Sequence, residues 1–389
     1  MAHFSPPKYV FNVISKLQAH GHEAYMTGGC VRDILMGKRP HDWDISTSAV
    51  TNEIIGIFPK TILTGAKYGT VTVLYSGGTA EVTTFRSEGA YISHRRPEKV
   101  EFVSNLEEDL KRRDFTINAM AMTLTGEIFD PMGGALGIKK GIIRCVGDPR
   151  NRFLEDALRM FRAFRFAAVT GFSIDRETYD AAAECAQFAQ ELSAERVRDE
   201  TEKILMSPRP EMLVAAINLK LYSRYLSGAD VCESAVPRIK KLPKSKMLRW
   251  AAFAACVAGD TSAQGELLRK LRLDKKTIRN VSAIDVKSRL DAEARDIKLT
   301  LSKYGEDAVL CAAAKSDVLY KGAAVRRVKE VIRSGECFSV DQLALTGEDL
   351  LRMGYAPGVQ LGHVLKGLLE HVIENPEDNV RERLIEILG

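Results

Sequence analysis

Residues 27–47 read T-G-G-C-V-R-D-I-L-M-G-K-R-P-H-D-W-D-I-S-T. Glu23–Thr27 has the β-branched and aromatic content of a short strand, Gly28-Gly29 is a tight turn, and Val31–Met36 reads as a short helix. A second strand begins near Asp42 and continues through Ile45. On a strand, the i, i+2 spacing of Asp42 and Asp44 sets both carboxylates on one face and turns Trp43 to the other. Two adjacent hard oxygen donors suit Mg²⁺, which keeps waters and takes further ligands from phosphates. The same D-x-D triplet fits two solvated acids on a turn. The upstream glycines let backbone N–H groups approach an anion at the start of a helix, with Arg32 within reach of it. Neither G-x-x-x-x-G-K-[ST] nor G-x-G-x-x-G occurs in the chain, so a nucleotide would need a different cradle.

Outward from this stretch, the first 145 residues are a mixed α/β unit. A helix over 8–20 stops at Gly21, another covers 50–58, and β-rich runs lie at Thr61–Leu63, Thr70–Tyr75 and Glu81–Arg86. From Asn151 the pattern is helical nearly throughout, with segments at 151–168, 174–190, 194–206, 210–222, 245–257, 263–272, 276–290, 294–302, 305–317, 322–333 and 361–373. No strand is expected beyond Val146. Residues 85–98 are polar, contain glycine and end at a proline, as a mobile loop would; His94 is a loop residue in this reading, not a base.

At 389 residues the chain exceeds one ordinary core. Its 45% hydrophobic and 28% charged content is that of globular material. No run of eighteen apolar residues occurs, and the N-terminus lacks a basic or apolar leader. Seven scattered cysteines, none in C-x-x-C, read as buried thiols in a reducing cytoplasm, with neither a disulfide frame nor a zinc site. The net charge of +5 is unevenly spread. Residues 236–250 hold six basic side chains and no acid; a second cluster spans Arg269 to Arg279, and a third Arg326, Arg327, Lys329 and Arg333. Such stripes suit a polyanion such as nucleic acid, and equally a solvated helical surface.

Farther motifs follow in order. These are E-E-D-L-K-R-R-D-F-T-I-N-A-M-A (107–121), D-P-M-G-G (130–134), E-D-A-L-R-M-F-R-A-F-R-F (155–166) and L-S-A-E-R (192–196). With G-G-x-V-R-D, eight residues and D-x-D, they resemble the polymerase β-type nucleotidyltransferases, and within them the bacterial class II tRNA nucleotidyltransferases (CCA-adding enzymes) and their poly(A) polymerase relatives. The likeness covers roughly residues 20–205; Thr346-Gly347-Glu348-Asp349-Leu350 and the segment to Asn379 are similar to the family's C-terminal region, less sharply.

The resemblance implies an α/β nucleotidyltransferase (polymerase β-like) head over 1–148, followed by an all-α neck (149–206), body (207–320) and tail (321–389). It implies Asp42 and Asp44 as catalytic carboxylates holding two Mg²⁺ ions about 3.5–4 Å apart, with Glu81 a candidate third acid. Gly28, Gly29, Arg32 and Arg113 would contact nucleotide, and Asn118 would bond the ribose or order its motif. Asp156 and Arg159 would read the base: a carboxylate accepts from the exocyclic amine of C or A, a guanidinium donates to ring acceptors, and G and U present the opposite pattern. Arg162 and Arg165 would face phosphates or brace the acid. The implied reaction adds C-C-A to the 3′ end of tRNA from CTP and ATP without a template, the helical body carrying the acceptor stem and elbow, with no membrane and no protein partner required. A poly(A) polymerase shares nearly every head residue, although Lys67-Tyr68-Gly69-Thr70-Val71 resembles the CCA branch. A split CC- or A-adding enzyme would carry the same motifs. So would a protein of a different class, one that binds RNA and has lost catalysis, although Asp42, Asp44 and Arg113 are all in place.

Overall fold

A computed structural model of the chain describes residues 5–88, 91–92, 96–97, 100–103, 105–226, 231–286, 290 and 293–389. It divides into two compact units, residues 1–200 with 215–223, and residues 201–214 with 224–389.

The first unit is built on a seven-stranded mixed sheet. Its five longer strands are β1 (Ala24–Thr27), β2 (Asp44–Thr47), β3 (Thr61–Gly65), β4 (Thr70–Tyr75) and β5 (Gly78–Thr84). The order is Ile128–Phe129, Ala121–Met122, β1, β2, β5, β4, β3. β2 runs antiparallel to β1 and parallel to β5, which sets Asp44 opposite Thr27 on one side and Glu81 on the other. Helices α1 (Lys8–Ala19), α2 (Gly29–Leu35) and α3 (Thr51–Ile57) cover the apolar face. Val10, Val13, Ile14 and Leu17 of α1 share one buried cluster with Met26, Trp43, Ile45, Val71, Val73 and Val82. Each such side chain stabilises the fold by about 1.5–3 kcal/mol on burial. Trp43 and Ile45 thus fix the register of β2, and Asp44 and Ser46 fall on the polar face by alternation.

Three expectations change. β2 begins at Asp44, and Asp42 lies in the bend just before it, although the Glu81 N–H bonds the Trp43 carbonyl. The segment 85–98 contains strand pairs in place of a loop: Arg86–Glu88 pairs with Val100–Phe102, and Tyr91–Ile92 with Arg96–Pro97. His94 lies outside the described residues. Beyond Val146 there is one short strand among the described residues, Ser173–Ile174, parallel to Ile142–Ile143, where Gly171 in a left-handed conformation ends a helix and the chain turns extended.

The helix expected over 151–168 is broken at Asp156. α4 (Leu106–Lys111) and α5 (Gly134–Lys140) precede α6 (Pro149–Glu155) and α7 (Leu158–Thr170). Asp156 is extended (φ −141°, ψ 103°) and its carboxylate accepts from the Leu158 N–H at 3.1 Å, starting α7 as a new helix. The helix expected over 174–190 likewise divides into α8 (Arg176–Glu184) and a 3₁₀ segment, Ala186–Glu191.

The second unit is helical. Its last part has a separate apolar cluster of Cys337, Leu343, Leu345, Leu350, Leu368, Leu369, Val372, Ile373 and Leu384. Here Thr346 and Asp349 cap Gly347–Arg352 reciprocally, and Asn379 bonds Ala344 and Gln342, so these motif residues shape the chain. The helix expected over 276–290 stops at Ser282, and residues 287–289 lie outside the described set. Among the described residues no helix is long and apolar enough to cross a membrane. All seven cysteines are free, and six are buried.

Candidate active site

The polar face of the sheet ends at Asp42, Asp44 and Glu81. Burial pushes the Asp44 carboxyl above the usual carboxylate range; Arg113 pulls it back, and Glu81 and Asp42 add to the rise. Three acids whose charges oppose one another fit a hard cation with oxygen ligands. They do not close into a cage: no group of three His, Cys, Asp or Glu side chains that could hold a metal ion occurs among the described residues. An open carboxylate edge is the arrangement Mg²⁺ takes when phosphates and water complete its shell.

Beside Asp44 lies the glycine turn. Gly28 has φ +73°, and a Cβ there would sit 2.6 Å from Arg113 Nη1 and 3.6 Å from Asp44 Oδ2. Only glycine satisfies both the left-handed backbone and the closeness of that guanidinium. The Gly28 N–H is bonded to the Met120 carbonyl at 3.1 Å, so it holds the turn in place and does not face an anion.

Arg113 extends from the end of α4 across this turn. Its Nη2 donates to Thr27 Oγ1 (3.2 Å), Ser46 Oγ (3.1 Å) and Asp109 Oδ2 (3.1 Å), and Nη1 to the Asn118 carbonyl (3.4 Å). Burial alone would raise the pKa of the fully buried Asp109, but Arg113 and Arg112 hold it below the ordinary range. Asn118 orders the motif. Its Oδ1 accepts from Arg32 at 2.7 Å and its amide donates to Asp114 at 3.1 Å, while Arg32 also forks onto Asp33.

The arginines of α7 are all paired. Arg162 meets Asp114 at 2.5 Å and Arg165 meets Glu200 at 2.5 Å. Burial would raise the Asp114 carboxyl, yet Arg162 and Asn118 bring it to about 2. Arg159, 7% exposed, pairs with Glu155 and donates to the Arg112 carbonyl at 3.1 Å. Arg196 braces Asp156 in place of Arg162 or Arg165, with Nη1 to Oδ1 at 3.2 Å and Nη2 to Oδ2 at 2.7 Å. The Phe166 ring lies under three guanidiniums, those of Arg32, Arg162 and Arg165 at 5.2, 5.5 and 3.8 Å.

The chain therefore joins Gly28, Arg32, Arg113 and Asn118 to Asp44 of β2, and links them to α7 through Asp114 and Phe166. Asp156 and Arg159 meet through the backbone, the Arg159 N–H donating to the Asp156 carbonyl at 2.9 Å, while their side chains hold other partners. Asp109, Asp114, Phe166 and Arg196 stand within the sequence motifs, yet nothing in the motifs alone gives them a role. The signal available for Asp114 and Arg196 was a charge beside apolar residues, which requires a partner; Asp109, in a run of charges, carried no such signal. D-P-M-G-G is structural: Asp130 accepts from the Gly134 and Ala135 N–H groups, and a Cβ on Gly134 would lie 2.2 Å from the Thr116 carbonyl oxygen.

This geometry agrees with comparisons to known proteins. The family described as "Poly A polymerase head domain" matches residues 24–144, and that of tRNA nucleotidyltransferase domain 2 matches residues 242–388. A CCA-adding enzyme of Geobacillus sp. (strain WCH70) is 38% identical over 392 residues, covering 98% of this chain and 96% of its own length. One of Lactiplantibacillus plantarum is 36% identical, with 96% and 94% covered. The crystal structure of the Bacillus stearothermophilus CCA-adding enzyme in complex with CTP superposes with a TM-score of 0.78 at 32% identity, covering 96% of this chain and 94% of that one. With sequence likeness running nearly end to end and the glycine turn, the acid pair and the arginine helix gathered as above, the chain belongs to the CCA-adding enzyme family.

Proposed function

We propose that this chain completes or repairs the 3′-terminal C-C-A of tRNA, using CTP and ATP, without a nucleic-acid template. The observation that carries the reading is the acid edge at the start of β2, where Asp42 of the preceding bend, Asp44 of β2 and Glu81 of β5 oppose one another beside Gly28 and Arg113. Asp42 and Asp44 are the catalytic carboxylates and would hold two Mg²⁺ ions, with Glu81 the third acid; when bound, the metal supplies the positive charge that favours the ribose 3′-alkoxide and the pyrophosphate leaving group. Gly28 and Gly29 give the triphosphate room at the turn, and Arg32 and Arg113 present guanidiniums to it.

Asp156 and Arg159 read the base. Asp156 accepts the exocyclic amine shared by C and A, and Arg159 donates to the ring acceptors beside it. Arg162 and Arg165, anchored on Asp114 and Glu200 and lying over Phe166 of the same helix, fix α7 and place Arg159. The head spans 1–148, the neck 149–206, the body 207–320 and the tail 321–389, with body and tail carrying the acceptor stem and elbow of tRNA by phosphate contacts. The site of action is the cytoplasm.

The test is substitution of the acids. Asp42→Ala and Asp44→Ala each lose nucleotide addition by at least about a thousandfold while tRNA affinity in a filter-binding assay stays within a few-fold. Near-normal turnover in either variant would remove the carboxylate assignment.

A further inference from the structure

Three consecutive acids, Glu107, Glu108 and Asp109, stand in the first turn of α4 and part ways on folding. Glu107 and Glu108 stay exposed and pair with Lys111, each at 3.0 Å. Asp109 is fully buried, and helical spacing brings the arginines three and four positions on to its two oxygens. Oδ1 accepts from Arg112 Nε at 2.9 Å, from Arg112 Nη2 at 2.6 Å and from the Arg86 N–H at 3.4 Å. Oδ2 accepts from Arg113 Nη2 at 3.1 Å and from the Ser46 hydroxyl at 3.3 Å. An acid in a first helical turn also complements the dipole, but an exposed one does so without the cost of burying a charge.

We propose that Asp109 is a positioning residue for the incoming nucleotide: it holds the Arg113 guanidinium beside Thr27 and Ser46 and keeps it out of an ion pair with Asp44. The proposal rests on the reading above, in which Arg113 meets the triphosphate and Asp44 holds Mg²⁺. Arg113 has a second carboxylate close by. A Cβ on Gly28 would lie 2.6 Å from Arg113 Nη1 and 3.6 Å from Asp44 Oδ2, so one methyl's breadth separates the guanidinium from that acid. Arg113 draws the Asp44 carboxyl downward, yet among the described residues it is ion-paired with Asp109 and not with Asp44.

The rest of the guanidinium is weakly held. Among the described residues Nη1 reaches only the Asn118 carbonyl, at 3.4 Å, and Nε is buried without a hydrogen-bond partner. Thr27 and Ser46 accept as neutral hydroxyls, so the charge-assisted bond to Asp109 is the strong one. Without it, Asp44 is the carboxylate left beside Arg113, and an arginine seated there would leave the triphosphate and compete with the cation. Asp109 has an opposing effect as well, since a negative charge repels a triphosphate. Anchoring outweighs it, because this carboxylate is fully buried and already neutralised by two guanidiniums.

The experiment compares the wild-type chain with Asp109→Asn, which keeps the size and removes the charge, and with Ser46→Ala, which removes one hydroxyl from the same guanidinium. Calorimetric titration with CTP, without tRNA, is expected to show Kd raised about tenfold or more in Asp109→Asn and about two- to fivefold in Ser46→Ala. In addition assays KM for CTP and for ATP should rise together in Asp109→Asn, KM for tRNA should stay within about twofold, and the half-saturating Mg²⁺ concentration should rise. A folded Asp109→Asn chain with unchanged CTP affinity would overturn the proposal, since the acid would then be structural only. Tighter CTP binding would overturn it too, by making the acid a source of repulsion, and so would an unchanged Mg²⁺ requirement. If Asp109→Asn does not melt cooperatively, Ser46→Ala decides, and unchanged CTP affinity there overturns the proposal. A wild-type chain that binds no CTP would instead overturn the function proposed above.

Discussion

Gly28 shows how much one position determines. A methyl group there would meet Arg113 Nη1 at 2.6 Å on a backbone at φ +73°. Gly28→Ala is expected to cost about 1–3 kcal/mol of stability. It should also lower kcat/KM for CTP by about a hundredfold or more, as Arg113 moves from Thr27, Ser46 and Asp109. Denaturant unfolding and CTP incorporation check the two effects, and unaltered incorporation would contradict the role given to Arg113. Arg159→Ala should blur discrimination of CTP and ATP against UTP and GTP by about tenfold or more, with tRNA affinity little changed. Retained strict selection would remove Arg159 from base reading. The direction of Asp44 was legible because it is set locally: alternation with Trp43 and Ile45 dictates where it points. The partners of the arginines were not. Arg32 meets Asn118 across 86 positions, and Arg196 meets Asp156 across 40, so only the folded chain assigns those pairs.

At the scale of elements, periodicity located most helices and could not show where one ends and another begins in phase with it. Phe153, Leu158, Phe161 and Phe164 continue an apolar stripe through the break at Asp156, because the interruption is made by hydrogen bonds of a carboxylate and not by a change in pattern. Arg249 ties elements of the second unit in a similar way. Only 3% exposed, it donates to the carbonyls of Leu205, Ser207, Lys240, Leu242 and Pro243. Arg249→Met leaves those buried acceptors without their donor and should cost about 3 kcal/mol or more, read as a lowered denaturant midpoint; an unshifted midpoint would contradict it. Lys315, on the helix Glu306–Tyr320, donates to the Val281 and Ile284 carbonyls, and burial lowers its pKa to about 8. The unfolded chain holds that proton to a higher pH, so folding stability contributed by this group rises between about pH 8 and 10.5 by roughly 3 kcal/mol. Compared with Lys315→Met, the wild-type chain should gain stability over that window. Parallel pH profiles would show that the lysine titrates normally.

For the molecule as a whole, the mixed sheet and the helical remainder fall to different parts of the sequence. The acid edge, the glycine turn and the arginine helix all lie in the first unit, and the second is helical. The α/β head and helical remainder were legible from the switch in hydrophobic period near residue 150, because strand and helix periods differ widely. The division into units was not, since it depends on packing between segments distant in sequence. The central claim is template-independent addition of C, C and A by one chain. It is tested most directly by incubating tRNA transcripts ending at the discriminator base, at C and at C-C with labelled CTP and ATP, separately and together, in the presence of Mg²⁺. The account predicts that the first transcript gains two residues with CTP alone and three with both nucleotides. The transcript ending in C-C should gain one residue with ATP alone, and addition should then stop. Unlimited A addition, addition restricted to C or to A alone, or any addition that survives Asp44→Ala would contradict it.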